Sequence, residues 1–173
     1  MPVRIDELGP DDLDDVLLLN NAAVPATSEL DRASLERLRS MASYALGVRV
    51  DGHDGVIGFC LNLDPGAEYD SLNYRWFSER YASFTYLDRI VVHPNFRNLG
   101  IGAELYAELE RRIAGRVPWL FCEVNVKPMN AESLRFHHRI GFVEVGRQDT
   151  EGGKKTVSLL AKRLSDSDQS QVV

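Results

Sequence analysis

The chain is poor in the features that mark several large protein classes. Among its 173 residues are two cysteines, Cys60 and Cys122. Each sits in an apolar run, and neither has Cys or His neighbours at metal-ligand spacing. That excludes a disulfide framework and a cysteine-based zinc site, no metal is expected, and the reduced cytoplasm is the expected compartment. Positive charge is also in deficit, with 20 Lys+Arg against 26 Asp+Glu and a net charge of -6. A nucleic-acid or anionic-membrane binder would carry the opposite balance. No apolar stretch approaches the roughly 20 residues that cross a bilayer. The start, Met1-Pro2-Val3-Arg4-Ile5-Asp6-Glu7, has neither the basic nor the apolar region of a signal peptide. One acidic domain over residues 1–164 is expected, with a polar, disordered tail over 165–173.

What is present is a succession of apolar periodicities. A strand is expected over Val3–Leu8, ended by Gly9-Pro10, and then a helix with Leu13, Val16, Leu17 and Leu19 on one face. Pro25 ends that helix, and a second spans roughly Ser28–Ala42. Tyr44–Val50 and Val56–Leu63 read as strands joined through a Gly/Asp-rich turn. An aromatic insert over 64–82 follows, with a short helix expected at Leu72–Tyr81. Strands at Phe84–Val92, Trp119–Val126, Phe142–Arg147 and Thr156–Ala161 alternate with helices at Ile101–Ala114 and Ala131–Ile140. This order predicts a mixed α/β sheet with helices on both faces, and ligands bind where strand-to-helix turns converge.

One such turn, Arg97-Asn98-Leu99-Gly100-Ile101-Gly102, has the composition of an anion cradle. Glycine at 100 and 102 lets a phosphate approach the backbone. The N–H groups from Asn98 to Ala103 would form a nest at the positive end of the helix, with Arg97 adding a charge-assisted bond. A plain crowded turn is the competing reading. A P-loop is excluded because no Gly-Lys-Ser/Thr follows, and a dinucleotide fingerprint because its third glycine is missing.

The wider context weighs for the cradle. Leu87-Asp88-Arg89-Ile90-Val91-Val92-His93-Pro94, followed by Arg97-x-x-Gly100-x-Gly102, resembles the acetyl-CoA-binding motif of the GNAT superfamily of N-acetyltransferases. Asn130 and the helix that runs through Ser133, Phe136 and His137 into Gly141-Phe142 resemble its second hallmark. The 19–25 and 122–125 segments are similar to those of a bacterial branch. The resemblance implies a mostly antiparallel sheet of about seven strands with about four helices, splayed between the fourth and fifth strands. It also implies acetyl-CoA as co-substrate and direct attack of an amine on its thioester. Ile90, Val91 and Val92, the cradle from Arg97 to Ala103, and Asn130, Ser133, Phe136 and His137 would then bind the cofactor.

For the base, two carboxylates inside apolar strands stand out. Strand alternation puts Asp88 with Tyr86, Ile90 and Val92, and Glu123 with Phe121 and Asn125. Burial can raise either into the range useful for base work, and an ion pair is the alternative for each. For the acid, the superfamily's tyrosine position holds His137, and a histidine can donate a proton at neutral pH. Asn20, Asn21, Val24, Pro25, Tyr86 and Asn125 are candidates to line the acceptor pocket, together with Tyr69, Tyr74, Trp76 and Phe77 of the insert. A small-molecule amine is the expected acceptor, since a bulky insert would close a peptide groove. A protein amino terminus or lysine, a non-catalytic CoA sensor and a homodimer all stay open.

Overall fold

The computed structural model describes residues 1–164; the tail expected at 165–173 lies outside the described residues. Seven strands form one sheet: β1 (Val3–Glu7), β2 (Tyr44–Val50), β3 (Gly58–Leu63), β4 (Thr85–Val92), β5 (Trp119–Lys127), β6 (Val143–Thr150) and β7 (Lys155–Arg163). Their order is β1-β2-β3-β4-β5-β7-β6. All neighbours are antiparallel except β4 and β5. The mixed, mostly antiparallel sheet is the one expected.

Five helices cover it: α1 (Leu13–Ala22), α2 (Arg32–Met41), α3 (Leu72–Ser78), α4 (Ile101–Ile113) and α5 (Ala131–Arg139). The second begins at Arg32 rather than Ser28 because the Asp31 side chain accepts from Ser34 N, closing its first turn as an N-cap. On one face, Leu13, Val16, Leu35, Leu38 and Phe77 pack against Phe59, Tyr86 and Phe121. On the other, Leu105, Leu109 and Ile113 of α4 pack against Leu46, Cys60, Leu87 and Cys122.

The parallel pair is short. β4 and β5 are paired only at Thr85–Leu120 and Tyr86–Phe121, and beyond that they diverge. A second irregularity lies on the other side of β4. Leu61 pairs with Arg89 and Asn62 with Leu87, so Asp88 is an extra residue without a counterpart. Such a bulge resets the in-out alternation of a strand. Tyr86 and Val91 therefore share the α1–α2 core, while Leu87, Ile90 and Val92 face α4 and α5. Asp88 thus stays with Tyr86 but is separated from Ile90 and Val92, correcting the expectation from strict alternation.

Candidate active site

The divergence of β4 and β5 opens a cleft of about 990 Å³ that reaches both faces of the sheet. Its α4–α5 side holds the turn expected from the sequence to cradle an anion. Asn98 and Gly100 have φ of 61° and 83°, left-handed values that asparagine tolerates and glycine adopts freely. They turn the chain so that α4 starts facing the cleft. No side chain caps α4, and its first internal bond is Glu104 N–H to Gly100 O at 3.0 Å. The N–H groups of the first turn are left to a ligand or water. Arg97 is held beside them by Nε donating to Val92 O at 3.2 Å.

Ile90, Val91, Val92, Arg97, Asn98, Gly100, Ile101, Gly102 and Ala103 all line this cleft. So do Asn130, Ser133, Phe136 and His137 across from them. Leu99 does not: its side chain is exposed. Asn130 caps α5, Oδ1 accepting from Ser133 N at 3.3 Å. A Cβ at Gly102 would come within 3.2 Å of the Phe136 ring, so glycine there is what lets α5 abut the start of α4.

Both candidate carboxyls line the cleft, in different company. Glu123 is half-buried and accepts twice from the Tyr86 hydroxyl, at 2.8 and 2.7 Å. Burial and then the charge of Asp88 push it up to about 8, against the opposing pull of Tyr86, Asn73 and Arg89. Asp88 is committed elsewhere. One oxygen accepts from the Tyr69 hydroxyl at 2.5 Å, and the other pairs with Arg89 Nε at 2.7 Å, both ion-pair side chains being buried. Arg89 continues to Asn20 Oδ1 at 2.9 Å and Ser28 O at 3.1 Å. One buried carboxylate thereby ties together the loop after α1 and the strap before α3.

His137 has both ring nitrogens engaged. Nδ1 lies 2.7 Å from Ser133 O, a carbonyl that can only accept, so Nδ1 carries the proton. The bare Nε2 accepts from the Tyr106 hydroxyl at 2.7 Å. Burial lowers its pKa, and the bond to Ser133 opposes that only in part. The ring is held neutral.

The acceptor candidates divide. Pro25 and Asn125 line the cleft and are joined by Asn125 Nδ2 donating to Pro25 O at 2.9 Å. Asn20, Asn21 and Val24 do not line it. Asn20 is fully buried and bonds Ser28 O, Asn21 bonds Leu30 through both amide atoms, and Val24 points to solvent. The two asparagines hold the loop rather than form its inner surface. Tyr86 acts from behind, through Glu123. The aromatic insert is mostly core: Tyr74 and Phe77 are buried, and Trp76 packs on the same cluster. Only Tyr69, Ser71 and Asn73 of that segment reach the cleft, so the insert does not roof it.

Sequence reasoning passed over Arg89 and Tyr106. A charged residue inside an apolar strand was a signal for the first. The meeting of Tyr106 with His137 is set by how α4 and α5 pack and leaves no local trace.

The model of the Acetyltransferase (GNAT) family matches residues 14–142. No curated protein matches the chain by sequence. Among solved structures, the ribosomal-protein-S18-alanine N-acetyltransferase from Escherichia coli is similar, with a TM-score of 0.72 at 17% identity over 99% of this chain and 100% of that one. Ard1 from Thermoplasma volcanium gives 0.76 at 16% identity, covering 96% and 100%. NAA60 of Arabidopsis thaliana, crystallised with acetyl-CoA, gives 0.72 at 18% identity, covering 94% and 99%. At these identities the likeness is one of fold.

Proposed function

This chain belongs to the acetyltransferase (GNAT) family, and from that premise we propose that it transfers acetyl from acetyl-CoA to a primary amine by direct attack, with Glu123 as the base. The observation that carries this reading is the half-buried Glu123 carboxyl in the cleft, raised to about 8 and held by Tyr86. A base in that range is matched to deprotonating an ammonium group near neutral pH.

The residues present fit such a donor. The uncapped first turn of α4 and Arg97 suit its phosphates, and the β4 edge, unpaired past Tyr86, suits its amides. When bound, acetyl-CoA supplies an activated acyl carbon. Backbone N–H groups of Ile90 to Val92 would polarise its carbonyl, a contribution worth about 3 kcal/mol in comparable oxyanion sites. Glu123 would take the ammonium proton and free the nitrogen lone pair for attack; as the C–S bond breaks, the second proton that the nitrogen loses on becoming an amide would go to the departing thiolate. Asp88 and Arg89 fix both acceptor-side loops, so the amine arrives oriented. His137, neutral and bonded on both nitrogens, anchors α5 to α4 rather than serving as the acid.

A small amine is the first reading, since Glu123 lies half-buried in the cleft wall. A second reading, a protein amino terminus, is favoured by the insert's place in the core, which leaves the space beside the 22–28 loop and the β6–β7 turn open. Thiol release from acetyl-CoA, screened over polyamines, amino acids and short peptides with free amino termini, separates the two. No release above hydrolysis with any of them, alongside tight acetyl-CoA binding, would favour a sensor.

A further inference from the structure

Three arginines line the cofactor end of the cleft: Arg97, Arg135 and Arg139. All are exposed, and among the described residues none is paired with a carboxylate. Arginines elsewhere are either ion-paired, as Arg4, Arg32, Arg111 and Arg147 are, or, like Arg37, Arg39, Arg116 and Arg163, engaged with a hydroxyl, a carbonyl or an aromatic ring. Glu132 shares this stretch of α5 and the cleft wall but bonds none of the three. Gathering unpaired cations at one opening, in a chain of net charge -6, raises a mutual repulsion that a bound anion relieves.

Their placement is specific. Arg135 and Arg139 are four residues apart on α5 and so share a face. Between them in sequence is Phe136, whose ring lies 3.2 Å from where a Cβ of Gly102 would fall. The Arg139 guanidinium lies over that same ring at 5.8 Å. Arg139 thus flanks the first turn of α4 from the α5 side, with Arg135 one helical turn away on the same cleft wall, whereas Arg97 flanks it from the β4 side. The α4 amides and Arg97 already suffice for a pyrophosphate. Coenzyme A carries one further anionic group, the phosphomonoester on its ribose.

We propose that Arg135 and Arg139 form the subsite for the 3′-phosphate of coenzyme A, so that the protein discriminates coenzyme A from its 3′-dephospho form. This rests on acetyl-CoA as the donor. A guanidinium pair on a phosphate dianion gives charge-assisted, bidentate bonds, which lysines reproduce in charge but not in geometry.

Titration calorimetry on the full chain, with coenzyme A and 3′-dephospho-coenzyme A at low and at moderate salt, tests it. The wild type is expected to prefer coenzyme A by about tenfold, less at the higher salt. Arg135→Ala with Arg139→Ala should remove most of that preference, and the two Lys substitutions should restore part. Arg97→Ala should weaken both ligands alike. Equal affinity of the wild type for the two ligands, or a preference that survives the double Ala variant, overturns the subsite while donor binding stands. Failure of both ligands to bind the wild type overturns the donor reading and the subsite together.

Discussion

The hydroxyl of Tyr86 and the carboxyl of Glu123 meet across the point where β4 and β5 part, with the phenol donating to both carboxyl oxygens at 2.8 and 2.7 Å. Tyr86 stands at the last paired position of the two strands. Its ring is core, and its hydroxyl bears on the cleft only through Glu123. Glu123 is therefore held in one orientation by a residue that cannot itself ionise, since burial and the neighbouring carboxyl raise the phenol well above its usual range.

If Glu123 is the base, turnover should rise with pH and level off above about 8, the value to which its carboxyl is raised. Glu123→Gln should lose that limb and about 10²–10⁴ of the rate. Tyr86→Phe removes a bond that favours the ionised form, so its limb should move to higher pH. The stability sign is opposite. From about pH 4.5 to 8 the unfolded chain releases this proton while the folded chain keeps it, so stability falls as pH rises. Glu123→Gln should remove that fall, seen in urea midpoints at pH 5 and pH 8. A variant with an unchanged pH–rate profile would exclude Glu123.

Asp88→Asn separates a base from a residue that positions one. Asp88 is among the groups that raise Glu123, and Arg89 among those that lower it. Neutralising Asp88 should shift the activity limb to lower pH without abolishing turnover. It also leaves Arg89 buried without its counter-charge, which costs about 3–5 kcal/mol, readable by chemical denaturation. Complete loss of activity in a folded Asp88→Asn protein would return the base role to Asp88.

The contrast between the two carboxyls shows what the sequence could carry. Alternation placed Glu123 correctly because β5 is regular through Phe121, Glu123 and Asn125 in its pairing with β7. It grouped Asp88 with Ile90 and Val92, which face the other way, because a bulge is one unpaired residue with no mark in a strand sequence such as Leu87–Val92. The turn before α4 was legible for a local reason: left-handed φ at Gly100 must be encoded by a residue that tolerates it. Asn20 and Asn21 were expected to line the acceptor pocket and instead tie the loop, since their partners Ser28, Leu30 and Arg89 are fixed only by the fold.

His137 and Tyr106 should behave as one unit. Replacing either by an apolar ring strands a buried partner, at about 1–3 kcal/mol, while His137→Phe with Tyr106→Phe should cost less than the sum. A double-mutant cycle in urea measures the coupling. The lowered pKa of His137 adds a pH signature: below its ordinary 6.5 the unfolded chain takes a proton that the folded chain resists, so stability is lost on acidification. His137→Phe should flatten that loss. Additive single effects would mean that the 2.7 Å contact contributes nothing.

Gly100 allows backbone strain and anion repulsion to be told apart. Its φ is +83°, and a Cβ there meets nothing within 4 Å, so Gly100→Ala should cost only the left-handed penalty, about 1–2 kcal/mol. Gly100→Glu carries the same backbone penalty and places a carboxylate at the N-terminus of α4, where the helix dipole stabilises negative charge. The Glu variant should therefore be at least as stable as the Ala variant. Its affinity for acetyl-CoA should nevertheless be tenfold or more weaker, because the carboxylate occupies the space and the field meant for the phosphates. Melting curves and calorimetry on the two variants give both numbers. Equal acetyl-CoA affinity in Gly100→Glu and Gly100→Ala would mean that the first turn of α4 does not hold the anion.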